Sequence, residues 1–494
     1  MSEPSLAQRA RMAVAWTTAV QVLRDVVQFG IMLVLVRRLP LEAYGEFGLI
    51  NTIVSFMLVF SSREFIGHTL LIRDDGDVNY DEQFLAGCVI QSVLFVVCNI
   101  VGVVLRWFPA YVPVAPLLNV MSLTFLLDLP SELRTRMLER SLDWERLRTV
   151  EAVGVVSAAV LSIVLGVGGA GVYALLIPSF IVPGAFLIDL FVIAKWRPKW
   201  EWHPERYHAS RRFGFNRVIS VSFVSASNLL ESSILAKAVG YAMLGVFGRA
   251  VGIANLFCQR VATLLMMSLY PVLARIAPAS DGYRRVSALV LRVIAWSVVP
   301  MALVVSLLRS DIVQTLYGDR WLAVIPLVPW GMALGALLAI VQGAYSLLLA
   351  HDQARQCLYA DVWRLVGMAT ALLAALPFGL PSYFGALLVV HTIAFSMVVF
   401  WLLRDRGLSF SGVSDALTPA VTAGVAAVLA AEGLFRLWFH AWPAIPRMIG
   451  FGAVFGVTYL GCLRLFFAGL LYELLGYLPQ AGRVQRLLGF AEAA

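Results

Sequence analysis

Long apolar runs, broken by short charged or Gly- and Pro-bearing stretches, set the pattern of this chain. A run of about 20 apolar residues matches the hydrocarbon thickness of a bilayer. Backbone in lipid must satisfy its own hydrogen bonds, so runs of that length predict helices. About fourteen such segments are marked, near residues 13–36, 44–65, 84–106, 112–130, 149–167, 171–194, 215–236, 247–270, 287–308, 323–350, 357–377, 383–403, 415–437 and 446–471. Turn chemistry at Gly168-Gly169 and around Pro377 and Pro381 splits two of the longer runs. The predicted fold class is an all-α polytopic membrane protein.

Composition agrees. Over 494 residues, 60% are hydrophobic and 14% charged, so the bilayer must be the solvent for most of the chain. The 38 Lys and Arg exceed the 30 Asp and Glu, which on charge alone would suit nucleic acid. Here the positive charge alternates between loops, which is the signature of membrane topology instead. One set of loops holds Arg134, Arg136, Arg140, Arg146 and Arg148, then Lys195 to Arg212, then Arg275, Arg284 and Arg285, then Arg404 and Arg406. The other set is nearly free of it, which places both termini in the cytoplasm. Arg37-Arg38 and the acidic loop from Arg73 to Glu82 fit this poorly, but acidic residues weigh little in the rule. The polar start, Met1 to Met12, leads into an expected uncleaved first span. Cys88, Cys98, Cys258, Cys357 and Cys462 lack metal spacing and read as apolar packing residues. No phosphate loop, His-Glu-x-x-His or Cys-x-x-Cys pair is present, and no cofactor is implied.

An internal repeat emerges at a shift of 200 residues. Tyr44-Gly45-Glu46-Phe47-Gly48 falls on Leu244-Gly245-Val246-Phe247-Gly248, Leu35 on Leu235, Arg37 on Lys237 and Gln28 on Asn228. A weaker echo sets Glu151 to Gly154 against Arg364 to Gly367. The expected architecture is two six-helix lobes, residues 1–212 and 213–408, followed by a two-helix extension with a cytoplasmic tail, 409–494. Repeated halves around a midplane site are a common transporter design.

The polar residues at depth concentrate in the repeated helices. Thr17, Gln21, Arg24 and Gln28 share one face of the first span by their spacing, with Asp25 beside them. Arg249 and Arg260 are three turns apart on the eighth span, which regular helix geometry places on nearly one face. Asn51, Ser55, Arg63 and Glu64 lie on the second span, and Asn228 and Glu231 on the seventh. A mid-membrane charge costs about 2.5 kcal/mol or more and usually faces water or a substrate path. The competing reading is an interhelical ion pair, Arg24 with Glu231 or Asp25 with Arg260, that holds the bundle together. Arginine is also the side chain that grips phosphate in bidentate fashion. Asp128, Asp189, Asp361 with Arg364, His391, Glu432 and Arg464 read as span-end or isolated groups, served by snorkelling or a local hydrogen bond.

Arg38-Leu39 followed by Tyr44-Gly45-Glu46-Phe47-Gly48 resembles the first-loop signature of bacterial polysaccharide flippases of the multidrug/oligosaccharidyl-lipid/polysaccharide (MOP) exporter superfamily. The stretch from Gly240 to Ala250, Tyr270-Pro271, Arg212-Phe213-Gly214 and Tyr317-Gly318-Asp319-Arg320-Trp321 are similar too. The resemblance runs from about residue 10 to 410. It implies translocation of an undecaprenyl-pyrophosphate-linked oligosaccharide from the cytoplasmic to the periplasmic leaflet of a bacterial inner membrane, for surface polysaccharide synthesis. It further implies two lobes alternating in access, membrane lipids around them, and a polysaccharide polymerase and chain-length regulator as partners. Arg249 matches a cationic position of related lipid flippases, and the last two helices resemble an extension that borders a groove for an isoprenoid tail. Ser61-Ser62-Arg63-Glu64 departs from a stretch that is commonly small and apolar in that family, so Arg63 serves either substrate or a cytoplasmic gate.

On this reading the substrate-binding candidates are Arg24, Gln28, Asn51, Arg63, Asn228, Arg249 and Arg260. Asp25 and Glu231 are the candidates for coupling to protons or sodium, since a buried carboxylate near arginines can exchange partners. Two alternatives stand beside it. A cation-coupled multidrug or metabolite exporter of the same superfamily would favour carboxylates over arginines. A membrane polymerase or ligase would display a sizeable catalytic external loop, and the external loops here are short.

Overall fold

The computed structural model describes residues 6–62, 80–199, 204–273, 276, 280–350, 353–406, 408–434 and 442–476. Its regular elements are all helices. In chain order the first are α1 (Leu6–Arg38), α2 (Leu41–Leu58), α3 (Tyr80–Leu105), α4 (Ala115–Arg140), α5 (Trp144–Val167), α6 (Tyr173–Ile193) and α7 (Pro204–Ala254). A π turn at Asn255–Gln259 leads into α8 (Arg260–Leu273). Then follow α9 (Asp281–Leu307), α10 (Arg309–Leu316), a 3₁₀ segment (Asp319–Leu327), α11 (Val328–Leu349), α12 (Ala354–Ala374), α13 (Leu380–Arg406), α14 (Phe410–Leu434), α15 (Ala444–Phe466) and α16 (Ala468–Gly476).

Among the described residues, ten helical stretches are long and apolar enough to cross a bilayer, against the fourteen segments marked on the sequence. One of them, Ser222–Met266, runs through two expected spans. The other three expected spans fall on α1, α2 and α4, which carry charge within their length: Arg24 and Asp25, Glu42 and Glu46, Asp128 and Glu132. Both breaks marked by turn chemistry lie between helices, since α5 ends at Val167 and α12 at Ala374. The Asp143 carboxylate accepts the Arg146 N–H at 3.2 Å and the Ser280 hydroxyl accepts the Tyr283 N–H at 3.1 Å, which fixes the starts of α5 and α9. On α3, Val89, Val93, Val96, Ile100 and Val103 are exposed, as a lipid-facing stripe must be.

The chain divides into two compact units, Met1–Gly245 and Val246–Ala494. The division falls in α7 just beyond Gly240, whose φ of 81° and ψ of 168° interrupt the helix. An L residue would pay about 1–2 kcal/mol for a left-handed φ, and glycine does not. Within the first unit, α3 packs on α4, α1 on α5, and α6 on both α4 and α5. Within the second, α9 packs on α11 and α14, α14 on α15, and α13 on α11 and α12.

The repeat has a physical footprint where α2 meets α7. A Cβ added to Gly45 would collide with the backbone of Tyr241, and one added to Gly245 with the carbonyl of Leu41. Tyr241 and Gly245 are Leu41 and Gly45 advanced by the repeat shift of 200 residues, so the contact is reciprocal. Hydrogen bonds extend the crossing: Thr52 Oγ1 lies 3.3 Å from Ser232 Oγ, Tyr241 donates to Ala110 O at 2.7 Å, and Tyr111 donates to Ser233 O at 3.1 Å.

The C-terminal extension is fastened to the second unit at three places. Arg447 Nε donates to Asp311 Oδ2 at 2.9 Å, and its Nη2 reaches the other carboxylate oxygen. The Tyr459 hydroxyl donates to Trp296 O at 3.2 Å. Arg292 Nη1 donates to Glu473 Oε2 at 2.6 Å, from α9 to α16.

Candidate polar site within the membrane

In the first unit, three helices carry polar residues at comparable depth. At 1.5 Å per residue, Arg24 lies about 21 Å along α1 from Arg38, Asn51 about 15 Å along α2 from Leu41, and Asn228 about 18 Å before the Gly240 break. All three are exposed, as are Asp25, Gln28 and Ser55, while Glu231 is half-buried. The Thr52–Ser232 contact ties α2 to α7, so Asn51, Asn228 and Glu231 all lie within about one turn of it.

Arg24 has a different partner from those considered on the sequence. Its Nη1 sits 3.4 Å from Glu151 Oε1 on α5, with half the side chain exposed. Glu151 also takes Arg148 Nη1 at 2.6 Å, so two guanidinium groups share one carboxylate. Glu151 is divided between the two, with Arg148 at the shorter distance, which leaves Arg24 available to a stronger anion. Asp25 accepts a 2.9 Å hydrogen bond from Gln21 Nε2, one turn back on α1. Arg63 and Glu64 lie outside the described residues.

In the second unit, the shared face expected for Arg249 and Arg260 is not formed. The π turn at Asn255–Gln259 intervenes. It adds one residue to the turn, which rotates Arg260 by on the order of 80° from Arg249. Arg249 instead lies over the ring of Trp321 at 6.0 Å from its centroid, with its charge acting on the Tyr317 hydroxyl. Trp321 and Tyr317 are buried, and burial pushes the Tyr317 hydroxyl above its ordinary value although Arg249 draws it down. The sequence signature from Tyr317 to Trp321 is thus a seat for Arg249. Beside half-buried Arg260, Gln259 Nε2 donates to Gly335 O at 3.3 Å.

Asp189 and Asp128, expected as span-end or isolated groups, are clustered, and Asp361 makes a local hydrogen bond with Arg364. Asp189 is buried and clamped by Arg134 Nε at 2.5 Å and Arg146 Nη2 at 2.9 Å, which ties α6 to α4 and α5. Asp128 Oδ2 accepts from the buried Gln91 Nε2 at 3.1 Å, and the same amide reaches Ser62 Oγ at 3.3 Å. Asp361 accepts from the Tyr345 hydroxyl at 3.1 Å and from Arg364 Nη1 at 3.3 Å. On the sequence, Glu151 stands out only through the repeat. Its place one turn beyond Arg148 was the available signal, since the acid and base stand at helical spacing.

The sequence pattern of the polysaccharide biosynthesis protein family matches residues 34–326. ExoT of Rhizobium meliloti (strain 1021), a succinoglycan biosynthesis transport protein, is 21% identical over 292 residues, and the alignment spans 58% of this chain and 58% of that relative's length. The lipid II flippase MurJ in its inward closed conformation superimposes with a TM-score of 0.69 at 11% identity, over 93% of this chain and 100% of that one. The MATE multidrug transporter DinF-BH gives a TM-score of 0.53 at 16% identity, over 80% and 96%. At these identities the structural likenesses concern the fold.

Proposed function

Because this chain belongs to the polysaccharide biosynthesis protein family, we propose that it is a flippase of the MOP superfamily that carries undecaprenyl-pyrophosphate-linked oligosaccharide from the cytoplasmic to the periplasmic leaflet. It acts as a membrane transporter and not as an enzyme. The reading is carried by one observation: Arg24, Gln28, Asn51 and Asn228 are exposed polar side chains near mid-depth of otherwise apolar helices. A pyrophosphate and its sugars are intolerable in hydrocarbon, whereas the polyprenyl tail is at home there. A polar surface at mid-depth offers the headgroup a path. Arg24, shared loosely with Glu151, is the residue that exchanges its carboxylate for phosphate.

Arg249, seated on Trp321, and Arg260 are the second unit's cationic candidates, with Arg63 retained on sequence grounds. Asp25 and Glu231 are held as the first unit's coupling carboxylates. The protein works in the bacterial inner membrane with both termini cytoplasmic, and it hands its cargo to a polymerase and a chain-length regulator. Disrupting the gene in its own bacterium tests the proposal. Lipid-linked oligosaccharide should accumulate facing the cytoplasm and surface polysaccharide should disappear, with rescue by the intact gene and not by Arg24→Ala. Unchanged surface polysaccharide, with new sensitivity to cationic dyes, would instead favour a drug exporter.

A further inference from the structure

Glu151 of α5 stands between two arginines that hold it unequally. Arg148 Nη1 meets Oε2 at 2.6 Å from one turn back on the same helix, whereas Arg24 Nη1 meets Oε1 at 3.4 Å from α1. The Glu151 side chain is 14% exposed, that of Arg148 22% and that of Arg24 50%. Arg148 is also the fixed member. Its guanidinium lies 6.0 Å from the centroid of the Trp144 ring, and Trp144 packs on the buried cluster of Leu138, Leu147 and Phe186. A cation over an aromatic face is held by the charge distribution of the ring. Arg148 Nε is buried without a hydrogen-bond partner, so among the described residues the Glu151 carboxylate is what this side chain donates to. The repeat supplies an independent comparison. Its weaker echo sets Glu151 on Arg364, and with it Arg148 on Asp361. The pair recurs there with its charges exchanged, Arg364 Nη1 lying 3.3 Å from Asp361 Oδ1. The Tyr345 hydroxyl, at 3.1 Å from the same oxygen, stands where a second arginine would be. An ion pair at this place on the helix therefore holds without a second guanidinium, which makes Arg24 dispensable to it.

Taking one partner from a mostly buried carboxylate is unfavourable, because the abandoned charge has left water and has nothing in return. Here the charge is never abandoned. When an anion draws Arg24 away, Glu151 keeps its shorter contact with Arg148. We propose that Arg148, set in place by Trp144, is a positioning residue of the headgroup site, which retains Glu151 so that Arg24 can pass to a pyrophosphate ester. The inference rests on the transport reading above and deepens it, since it names the residue that sets the affinity of that site. Glu151 is then the anion that occupies Arg24 between cargoes. Without Arg148, Glu151 depends on Arg24 alone, and the incoming phosphate must strip it of its last partner. With Glu151 neutral, Arg148 has no charge to retain and its influence on the site disappears.

The alternative is an ion-pair cluster that only braces α1 against α5. Four proteins in nanodiscs separate the two: the intact chain, Arg148→Gln, Glu151→Gln and the double variant. Titrated with farnesyl pyrophosphate, Arg148→Gln should bind about five- to tenfold more weakly than the intact protein, within the coupling range of residues in contact. Glu151→Gln removes the competing charge and should bind at least about threefold more tightly, and the double variant should match it within about twofold. A second readout needs no cargo: phenylglyoxal, which modifies guanidinium groups, followed at Arg24 by peptide mass spectrometry. In substrate-free protein, modification of Arg24 should slow at least about threefold in Arg148→Gln and quicken by as much in Glu151→Gln, as the hold of the carboxylate on it tightens or is lost. Equal modification of Arg24 in the intact protein and Arg148→Gln, or a double variant that binds as weakly as Arg148→Gln, overturns the proposal. The expected modification pattern, with no binding of farnesyl pyrophosphate by any of the four, would support the exchange of partners and count against the cargo assignment alone.

Discussion

The reciprocal crossing of α2 and α7 makes a quantitative claim about two glycines. Gly45→Ala places a methyl group against the backbone of Tyr241, and Gly245→Ala places one against the carbonyl of Leu41. Backbone cannot rotate away, so the helices must separate, at a cost of about 1–3 kcal/mol for overpacking. Alanine returns up to about 1 kcal/mol of helix propensity, which leaves each variant destabilised by roughly 1–2 kcal/mol. Gly48 is the internal control, because a Cβ there meets nothing within 4 Å. Gly48→Ala should therefore stabilise by up to about 1 kcal/mol, and the two neighbouring substitutions should differ in sign. Once the helices have parted for one methyl group, the second fits without further separation. The double variant should then cost about 1–2 kcal/mol less than the sum of the singles, a coupling within the range seen for residues in contact. Equilibrium unfolding in bicelles, comparing four proteins in one cycle, measures it. Additivity within about 0.5 kcal/mol, or a neutral Gly45→Ala, would refute the crossing.

Other expectations follow from the buried charges. Asp189→Asn strips the clamp from Arg134 and Arg146 and should destabilise by about 3–5 kcal/mol, as removing one partner of a buried charge set does, measured by the same unfolding assay. Asp311→Ala and Arg447→Ala should each loosen the C-terminal extension, and their double variant should be no worse than either single, as hydrogen exchange of α15 will report. Trp321→Leu removes the ring beneath Arg249 and should slow transport by about tenfold, as loss of roughly 1–2 kcal/mol of cation–π support predicts, with Trp321→Phe intermediate.

Much of the scaffold was legible because lipid is a strict solvent. Apolar length predicted where helices run, and Gly and Pro predicted the breaks after Val167 and Ala374. The repeat in residues 44–48 and 244–248 foreshadowed a contact that turned out to be reciprocal. What periodicity could not supply was partners distant in the chain. It placed Arg24 on a polar face, but Glu151 lies 127 residues on. The same limit concealed Arg447 with Asp311, 136 residues apart, and Asp189 with its two arginines. The shared face expected for Arg249 and Arg260 failed for another reason. Residues 255–259 carry no proline or glycine to mark an irregular turn, and tertiary packing, where Gln259 reaches Gly335 O, accompanies the π geometry.

The sharpest trial of the account is a reconstituted flipping assay on purified lipid-linked oligosaccharide, comparing the intact protein with Arg24→Lys, Arg24→Ala and Glu151→Gln. A phosphate-gripping Arg24 predicts at least a tenfold loss in Arg24→Ala, partial recovery in Arg24→Lys, and near-normal turnover in Glu151→Gln, where the guanidinium is freed. Normal turnover in Arg24→Ala, or equal losses in Arg24→Ala and Glu151→Gln, would mean that the pair only braces α1 against α5.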